Sequence, residues 1–266
     1  MDTYSQFTAK VGVWNLAGFH EIDDDRMKQQ ALGLRILDAE FVTLIEVRPV
    51  TYIERLVAEL NKDGEIYDFA IKQQNKDLNI GFLFKKGVQV SNLEFIGGSD
   101  LDNQEFRRAL MADVKIGAFD FTVIGVHLKS GRDMRFQLLR DQQCKVIGDK
   151  IAELREQSRE DIILMGDFNM IPGQDVSNFH YLGGPDIMDF VSCWDLQDRY
   201  SHILEKGRAN LLDGFAISRT FFTEYIRGSL RLFPMHWTLQ MGRQAFREEV
   251  SDHLPFVASF HIASRD

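Results

Sequence analysis

Ten apolar runs rich in β-branched and aromatic residues, interleaved with three segments of helical periodicity, predict an α/β fold with two mixed sheets packed face to face and helices outside. Short Gly-containing turns, Lys85-Lys86-Gly87 and Lys115-Ile116-Gly117-Ala118, read as connections within strand pairs. No repeat, low-complexity tract or Pro/Gly/Ser linker interrupts the pattern, so the 266 residues read as one domain spanning 1–266.

The strands are expected at Lys10 to Asn15, Phe41 to Val47, Tyr67 to Lys72, Ile80 to Lys85 and Val88 to Ile96. Five more are expected at Ala109 to Ile116, Phe119 to Leu128, Ile162 to Phe168, Leu211 to Ser218 and Leu254 to Ile262. Arg26 to Ala39, Pro49 to Asn61 and Asp133 to Gln157 carry apolar residues at three- and four-residue spacing, as helices covering a sheet do. The first aligns Met27, Ala31, Leu34 and Leu37 or Asp38. The third aligns Phe136, Leu139, Cys144, Ile147 and Leu154 among dense charge.

A formal charge of −9 repels polyanions on average, so a phosphate-bearing partner must meet a local basic patch or a bound cation. Two cysteines, Cys144 and Cys193, exclude a disulfide-stapled fold and a thiolate zinc cluster, and leave room for one disulfide. No run approaches the ~20 apolar residues of a membrane helix. The expectation is a soluble protein without stable membrane insertion, cytoplasmic as the sequence stands or secreted if a leader was removed. Nothing in the sequence demands a dimer, and a monomer is expected.

The chemistry gathers at strand ends. In DIILMGDFNM, residues 161–170, an apolar strand runs into Gly166, Asp167 and Asn169; strand alternation would project Asp167 and Asn169 to one side. FVTLIEV presents Glu46 among apolar residues, where an ionised carboxylate is costly unless paired or bound to a cation. VGVWNLAG ends in Asn15, FTVIGVHLKSG in His127, and VSDHLPFVASF opens with Ser251, Asp252 and His253. One such residue is ordinarily structural; five strands marked at one edge are harder to explain that way. Oxygen ligands without thiolates suit Mg²⁺ or Mn²⁺, with Glu46 and Asp252 as carboxylate ligands. Asp167 suits proton abstraction from water, and imidazoles suit donation to phosphoryl oxygens.

The motifs VWNLAG, TLIEV, VHLKS, LMGDFN and VSDHLP, in this order across nearly the whole chain, resemble the endonuclease/exonuclease/phosphatase superfamily, which includes deoxyribonuclease I, abasic-site endonucleases, sphingomyelinases and inositol-phosphate phosphatases. The resemblance implies a four-layer α/β sandwich with the site at one end of two packed sheets. It implies metal ligation by Glu46 and Asp252 with Asn15 beside metal and phosphate, and catalysis by His127, Asp167, Asn169, Asp213 and His253. Asp213, in LLDGFAIS, would orient His253, and Asn15, Arg107 and Asn169 would meet the substrate phosphate, with Arg108 as the alternative to Arg107. Two positions depart from the family: Gly214 follows Asp213 where many members have His, and Leu78, next to Asp77, falls where a carboxylate would hold His127.

The expected activity is a Mg²⁺- or Mn²⁺-dependent phosphodiesterase, foremost a nuclease acting on DNA by in-line water attack. A phospholipid (sphingomyelinase-like) or small-phosphoester phosphodiesterase is the alternative, and a catalytically silent binding protein the second. Lys129, Arg132 and Arg135 are either phosphate contacts or a solvated helix face. Phe221, Phe222, Tyr225, Arg227, Arg231, Phe233, His236, Trp237, Arg243 and Arg247 form an aromatic and basic segment suited to base stacking, with core packing expected to claim about half. For a lipid substrate, Trp237 with Met235 and Met241 is the nearest match to an exposed apolar hairpin.

Overall fold

A computed structural model describes residues 7–18, 23–64, 66–183, 188–190, 200–203, 209–218 and 223–263. The first sheet is built from β1 (Thr8–Asn15), β2 (Phe41–Val47), β3 (Tyr67–Ile71), β4 (Asn79–Lys85), β13 (Arg231–Leu232) and β14 (Phe256–His261), in the order β13-β14-β1-β2-β4-β3. The second contains β5 (Gln89–Phe95), β6 (Leu110–Ile116), β7 (Phe119–His127), β8 (Ile162–Asp167), β9 (Met188–Phe190) and β12 (Asp213–Ser218), in the order β5-β6-β7-β8-β12-β9. A two-residue pair, β10 (His202–Ile203) with β11 (Ala209–Asn210), lies apart from both.

Three apolar layers hold four layers of secondary structure. Between the sheets, Val11, Phe41, Phe82, Leu110, Phe121, Ile163, Phe215 and Phe256 interdigitate, with Phe41 and Phe121 meeting edge to face at 6.2 Å. Helices α1 (Asp24–Leu37) and α2 (Tyr52–Leu60) cover the first sheet through Leu34, Leu37, Ile53 and Leu56, around a buried Trp14. The long α3 (Met134–Glu156) covers the second through Cys144, Ile147, Ile151 and Leu154. The four-layer α/β sandwich is therefore present. Cys144 is a free, buried thiol whose pKa that burial pushes up, and Cys193 lies outside the described residues. Among the described residues no helix is long and apolar enough to cross a membrane.

Two local features differ from the sequence expectation. The turn at Lys85-Lys86-Gly87 does not close a strand pair: β4 is already flanked by β2 and β3, so the chain crosses to the other sheet and β5 pairs with β6. In α3 the inward face holds Arg140 and Gln143, both fully buried, while Phe136 and Leu139 are only partly covered.

Each sheet has one central parallel pair, β1 with β2 and β7 with β8, and both pairs end at the same rim. Asn15 lies opposite Ile45, one residue before Glu46; His127 lies opposite Asp167 and Asp167 opposite Asp213. Just behind this rim the sheets approach closely at Gly125, where an added Cβ would sit 2.8 Å from Ile80 Cγ2 and 3.1 Å from Thr43 Cγ2.

At the other end of β8, burial first, and then the charges of Glu224, Glu160 and Asp120, raise the Asp161 carboxyl to about 6. Folding then weakens its acidity, so the native state binds the extra proton and stability falls as pH rises from about 4 through 6. Asp161→Asn is expected to flatten that slope, measured as denaturant midpoints at pH 4 and pH 7; an unchanged slope would show that Asp161 does not cause it.

Candidate active site

The strand ends open into a cleft of about 340 Å³ whose walls include Glu46, Arg107, His127, Lys129, Asp167, Asn169, Asp252 and His253. Asn15 lies beneath, fully buried, and its Nδ2 donates to Glu46 Oε1 at 3.3 Å and to Asp167 Oδ2 at 3.2 Å. One amide thus ties a carboxylate of the first sheet to a carboxylate of the second.

Glu46 sits in a β-bulge that shifts the β2–β4 register between Ile45 and Val47, and its φ of 61° is in the left-handed region unfavourable for a residue carrying a Cβ. The bulge turns its side chain into the cleft instead of along the strand's alternation. Gly18 makes room for it, since a Cβ there would lie 2.1 Å from the Glu46 carbonyl oxygen. Backbone strain of this kind persists where surrounding structure imposes it and concentrates at functional sites.

Asp167 and Asn169 do share the cleft, though not through strand alternation. The strand ends at Asp167, and Asn169 adopts φ 51°, a left-handed turn that swings it back. Its N–H donates to Asp167 Oδ1 at 2.9 Å and its Nδ2 to the Leu128 carbonyl at 3.1 Å, so part of its donor capacity is spent on the loop after β7. Gly166, at φ 154°, passes so close to Val126 O that a Cβ would be 2.0 Å away, which sets the tight approach of β7 and β8.

Two histidines face Asp167 in opposite electrostatic states. His253 Nδ1 is 2.7 Å from Asp213 Oδ2, and its Nε2 lies 3.9 Å from Asp167 Oδ2 and 3.8 Å from Asp252 Oδ1. Burial alone would lower its pKa, but Asp213, Asp167 and Asp252 together carry it up to about 10. His127 Nε2 lies 3.6 Å from Glu46 Oε1 and 3.8 Å from Asp167 Oδ2; burial, then the nearby Arg107 and His253 charges, push it down to about 3. One imidazole is held cationic and the other neutral, the separation that acid–base chemistry at a single centre requires.

The carboxylates divide likewise. Burial raises Glu46, and burial followed by the charge of Asp213 raises Asp167 to about 8. Burial works against the Asp252 carboxylate too, yet His202 and His253 hold it below the usual range. Glu46, His127 and Asp167 bring one ligand atom each within 4.8 Å of one another, as do His202, Asp252 and His253. Glu46 and Asp252 line the same cleft but fall in different trios, joined across it by Asn15, Asp167 and His253.

Arg107 and Arg108 are now distinguished. Arg107 lines the cleft with its Nε buried and unpartnered among the described residues, whereas Arg108 Nε is taken by Asp100 at 2.7 Å. Leu78 does occupy the cleft wall, and neighbouring Asp77 accepts from Val50 N and Asn79 Nδ2, each at 3.0 Å, so neither serves His127. Of the basic residues after His127, Lys129 reaches the cleft with its Nζ 4.5 Å from the centre of the Phe136 ring, and the Arg135 guanidinium lies over the same ring at 4.8 Å. Arg132 is used internally, on Asp175 at 3.0 Å and the Asn169 carbonyl at 3.2 Å.

The aromatic and basic segment packs more than it exposes. Tyr225 and Phe233 join the core, His236 is buried, Arg247 Nε donates to the Ile203 carbonyl at 3.1 Å, and Arg243 lies 4.6 Å over Tyr200; Trp237 is the exposed ring. Phe221 and Phe222 lie outside the described residues. None of the segment's described members is among the residues lining the cleft.

Three supporting residues have no sequence signature. Arg140, fully buried, donates to the carbonyls of Lys129 at 2.9 Å and Gly131 at 2.8 Å, and to Asp175 Oδ1 at 3.0 Å. Asp175 also accepts from Ile171 N at 2.7 Å, so the pair staples the loop after His127 to the loop after Asp167. His202 reaches the cleft from β10, 3.5 Å from Asp252 Oδ2 and bridged by backbone to His253.

No family model matches the chain, and no curated protein matches it by sequence. Solved structures do match it. A zebrafish (D. rerio) TDP2 complexed with a single-strand DNA product superposes with a TM-score of 0.70 at 18% identity, covering 95% of this chain and 98% of that one. An endonuclease/exonuclease/phosphatase family protein from Bacteroides thetaiotaomicron gives 0.65 at 12% identity, with 97% and 98% covered. A variant of the 3′ phosphatase NExo from Neisseria, bound to a product DNA hairpin, gives 0.65 at 14% identity, with 95% and 99% covered. The chain therefore has the fold of these structures, one of which is an endonuclease/exonuclease/phosphatase family protein.

Proposed function

We propose that this chain is a divalent-metal-dependent phosphodiesterase that hydrolyses DNA phosphodiester bonds by water attack in line with the leaving oxygen. The observation that carries the reading is the convergence, in one cleft at the rim of both sheets, of Asn15, Glu46, His127, Asp167, Asn169, Asp252 and His253, with Asp213 behind His253. Similar folds occur with DNA products, in the zebrafish and Neisseria structures.

The donor set fits a hard cation. Burial has raised Glu46 and Asp167 in a cleft crowded with carboxylates, and oxygen donors from carboxylate and amide are what Mg²⁺ or Mn²⁺ take. Glu46 and Asp252 would hold it, and Asn15 supports them from behind, its Nδ2 donating to Glu46 Oε1 while its Oδ1 accepts from Ala17 N–H at 2.9 Å. When bound, such an ion supplies positive charge that stabilises the phosphoryl and leaving oxygens.

The chain's own residues do the rest. Asp167 Oδ2, braced by the Asn15 amide, accepts the proton of the attacking water. His253, its Nδ1–H committed to Asp213, presents an Nε2–H donor to a phosphoryl oxygen. Neutral His127 offers its Nε2 beside the same point, and the Arg107 guanidinium meets phosphate from the cleft wall. Asn169 keeps Asp167 oriented and turns its side chain toward the substrate. Lys129 and Arg135, both set against Phe136, supply the local basic patch that a chain of −9 needs to receive a polyanion. The lipid reading loses its anchor, because Met235 is buried and Met241 packs against the core, leaving Trp237 alone.

The test is turnover of single- and double-stranded DNA, RNA, sphingomyelin and inositol phosphates with Mg²⁺, Mn²⁺ or EDTA. DNA is expected to be cleaved, EDTA to abolish cleavage, and Glu46→Gln and His253→Ala each to reduce it by about 10²–10⁴-fold. Cleavage that survives EDTA, turnover confined to lipid, or no turnover of any phosphoester would overturn the reading.

A further inference from the structure

We propose that His202, Asp252 and His253 form a second cation site, selective for a borderline transition ion of the Zn²⁺ class, whose occupation arrests the enzyme. The inhibitory half of this inference rests on the phosphodiesterase reading; the binding half does not.

The geometry is that of a site already assembled. His202 Nε2 lies 3.5 Å from Asp252 Oδ2, and His253 Nε2 lies 3.8 Å from Asp252 Oδ1. A tetrahedral ion with bonds of ~2.0–2.1 Å places its ligand atoms ~3.4 Å apart. The two imidazole rings are 4.7 Å apart and inclined by 35°, and each has its Nε2 within 3.8 Å of an Asp252 oxygen. Two imidazoles and one carboxylate, with a fourth position open, form a donor set that suits Zn²⁺, Co²⁺ or Ni²⁺ and is ill matched to Mg²⁺.

The support behind these ligands is in place. Asp213 grips His253 Nδ1 at 2.7 Å, the carboxylate–imidazole arrangement that fixes a metal-binding histidine with Nε2 outward. The backbone of β10 is pinned by Ile203 N to the Asp252 carbonyl at 2.7 Å, by Leu254 N to the Ser201 carbonyl at 2.7 Å and by Arg247 Nε to the Ile203 carbonyl. His202 is therefore held against Asp252 by its strand. Oxygens of Asp213, Asp167 and Asp252 lie 2.7, 3.9 and 3.8 Å from the His253 ring nitrogens, negative charge that a dication at Nε2 would meet, and any proton on Nε2 leaves to solvent when the ion binds. The side chains of His202 and Asp252 are 20% and 30% exposed and line the cleft, giving the ion an entry path.

Occupation would take His253 Nε2 and the Asp252 oxygens, the groups assigned to phosphate and to the hard cation. A nearby trio, Glu46, His127 and Asp167, offers a competing set with one imidazole and supplies the internal control.

The experiment titrates the full chain with Zn²⁺ by calorimetry and with Co²⁺ by visible absorption, in excess Mg²⁺, for wild type, His202→Ala, His202→Gln and His127→Ala, each checked for cooperative unfolding. Wild type is expected to bind one Co²⁺ with a tetrahedral spectrum that Mg²⁺ does not displace. Both His202 variants should bind at least roughly tenfold more weakly, since even loss of a residue supporting a ligand costs that much, and His127→Ala should bind as wild type does. Zn²⁺ should inhibit Mg²⁺-supported DNA cleavage, and the His202 variants should need correspondingly more. Unchanged affinity and spectrum in both His202 variants, or loss in His127→Ala instead, would overturn the site. Absence of turnover in wild type would strike the phosphodiesterase reading while the spectra still judged the site.

Discussion

Asp167→Asn is expected to lower DNA turnover by about 10²–10⁴-fold, the usual contribution of a positioned general base, without loss of stability. The side chain is buried, with Oδ1 accepting from Asn169 N–H and Oδ2 from Asn15 Nδ2. An amide of the same shape keeps one acceptor oxygen and removes the negative charge. That charge is unwelcome in the cleft: burial, then Asp213, raise its pKa to about 8, against about 4 in an unfolded chain. In the metal-free protein the native state therefore binds the extra proton between those values, and stability falls as pH rises from about 4 to 8. The asparagine variant lacks this penalty. Thermal melts without metal should show it equal to or above wild type at pH 8, while single-turnover cleavage with Mg²⁺ collapses. Near-normal cleavage would place the base elsewhere; a lowered melting point would assign Asp167 a structural role instead. The opposition of stability and activity at one residue is a recurrent mark of catalytic groups.

Asp175→Ala should be the most destabilising substitution outside the cores, by about 3–5 kcal/mol. Asp175 accepts from Arg132, Arg140, Gln137 and Ile171 N, and Arg140 has no exposure to water. Removing the carboxylate leaves a guanidinium buried without its counter-charge. Equilibrium denaturation measures the loss, and the double variant Asp175→Ala/Arg140→Met should recover part of it, because removing both charges avoids the desolvated cation. Arg140→Lys should not substitute for arginine, since one ammonium cannot reach the Lys129 and Gly131 carbonyls, Asn178 and Asp175 together. If the double variant is no more stable than the single, the ion pair is not what the alanine removes.

The architecture is legible in the sequence because it rests on periodicity. The ten expected strands and three expected helices fall where strands and helices occur, with ends displaced by a few residues, and strand-end polar residues mark the rim. Glu46, His127, Asp167, Asp213 and His253 can be placed together because each ends or opens an apolar run. The features that escape a sequence reading depend on backbone geometry or on distant partners. Asn169 enters the cleft through a left-handed turn, which alternation does not anticipate. Arg140 looks like one more charge on a charged helix, and its burial is decided by Asp175 in a loop of a different segment. His202 carries no motif, and its position follows from a backbone bridge to His253 that forms only in the folded chain. The connection after Lys85 is misread because a turn states where the chain reverses, not which edge is vacant to receive it.

The close approach of the sheets at Gly125 has a chemical meaning. Asn15 and Glu46 belong to one slab of the sandwich, His127 and Asp167 to the other, and the distance across the cleft is inherited from the separation of the slabs beneath it. A methyl group wedged in there would touch no reacting atom, yet it would pry the acid and the amide apart like a shim under one jaw of a vice. In this molecule the width of the cleft is set in the dry interior, by a side chain that consists of a single hydrogen.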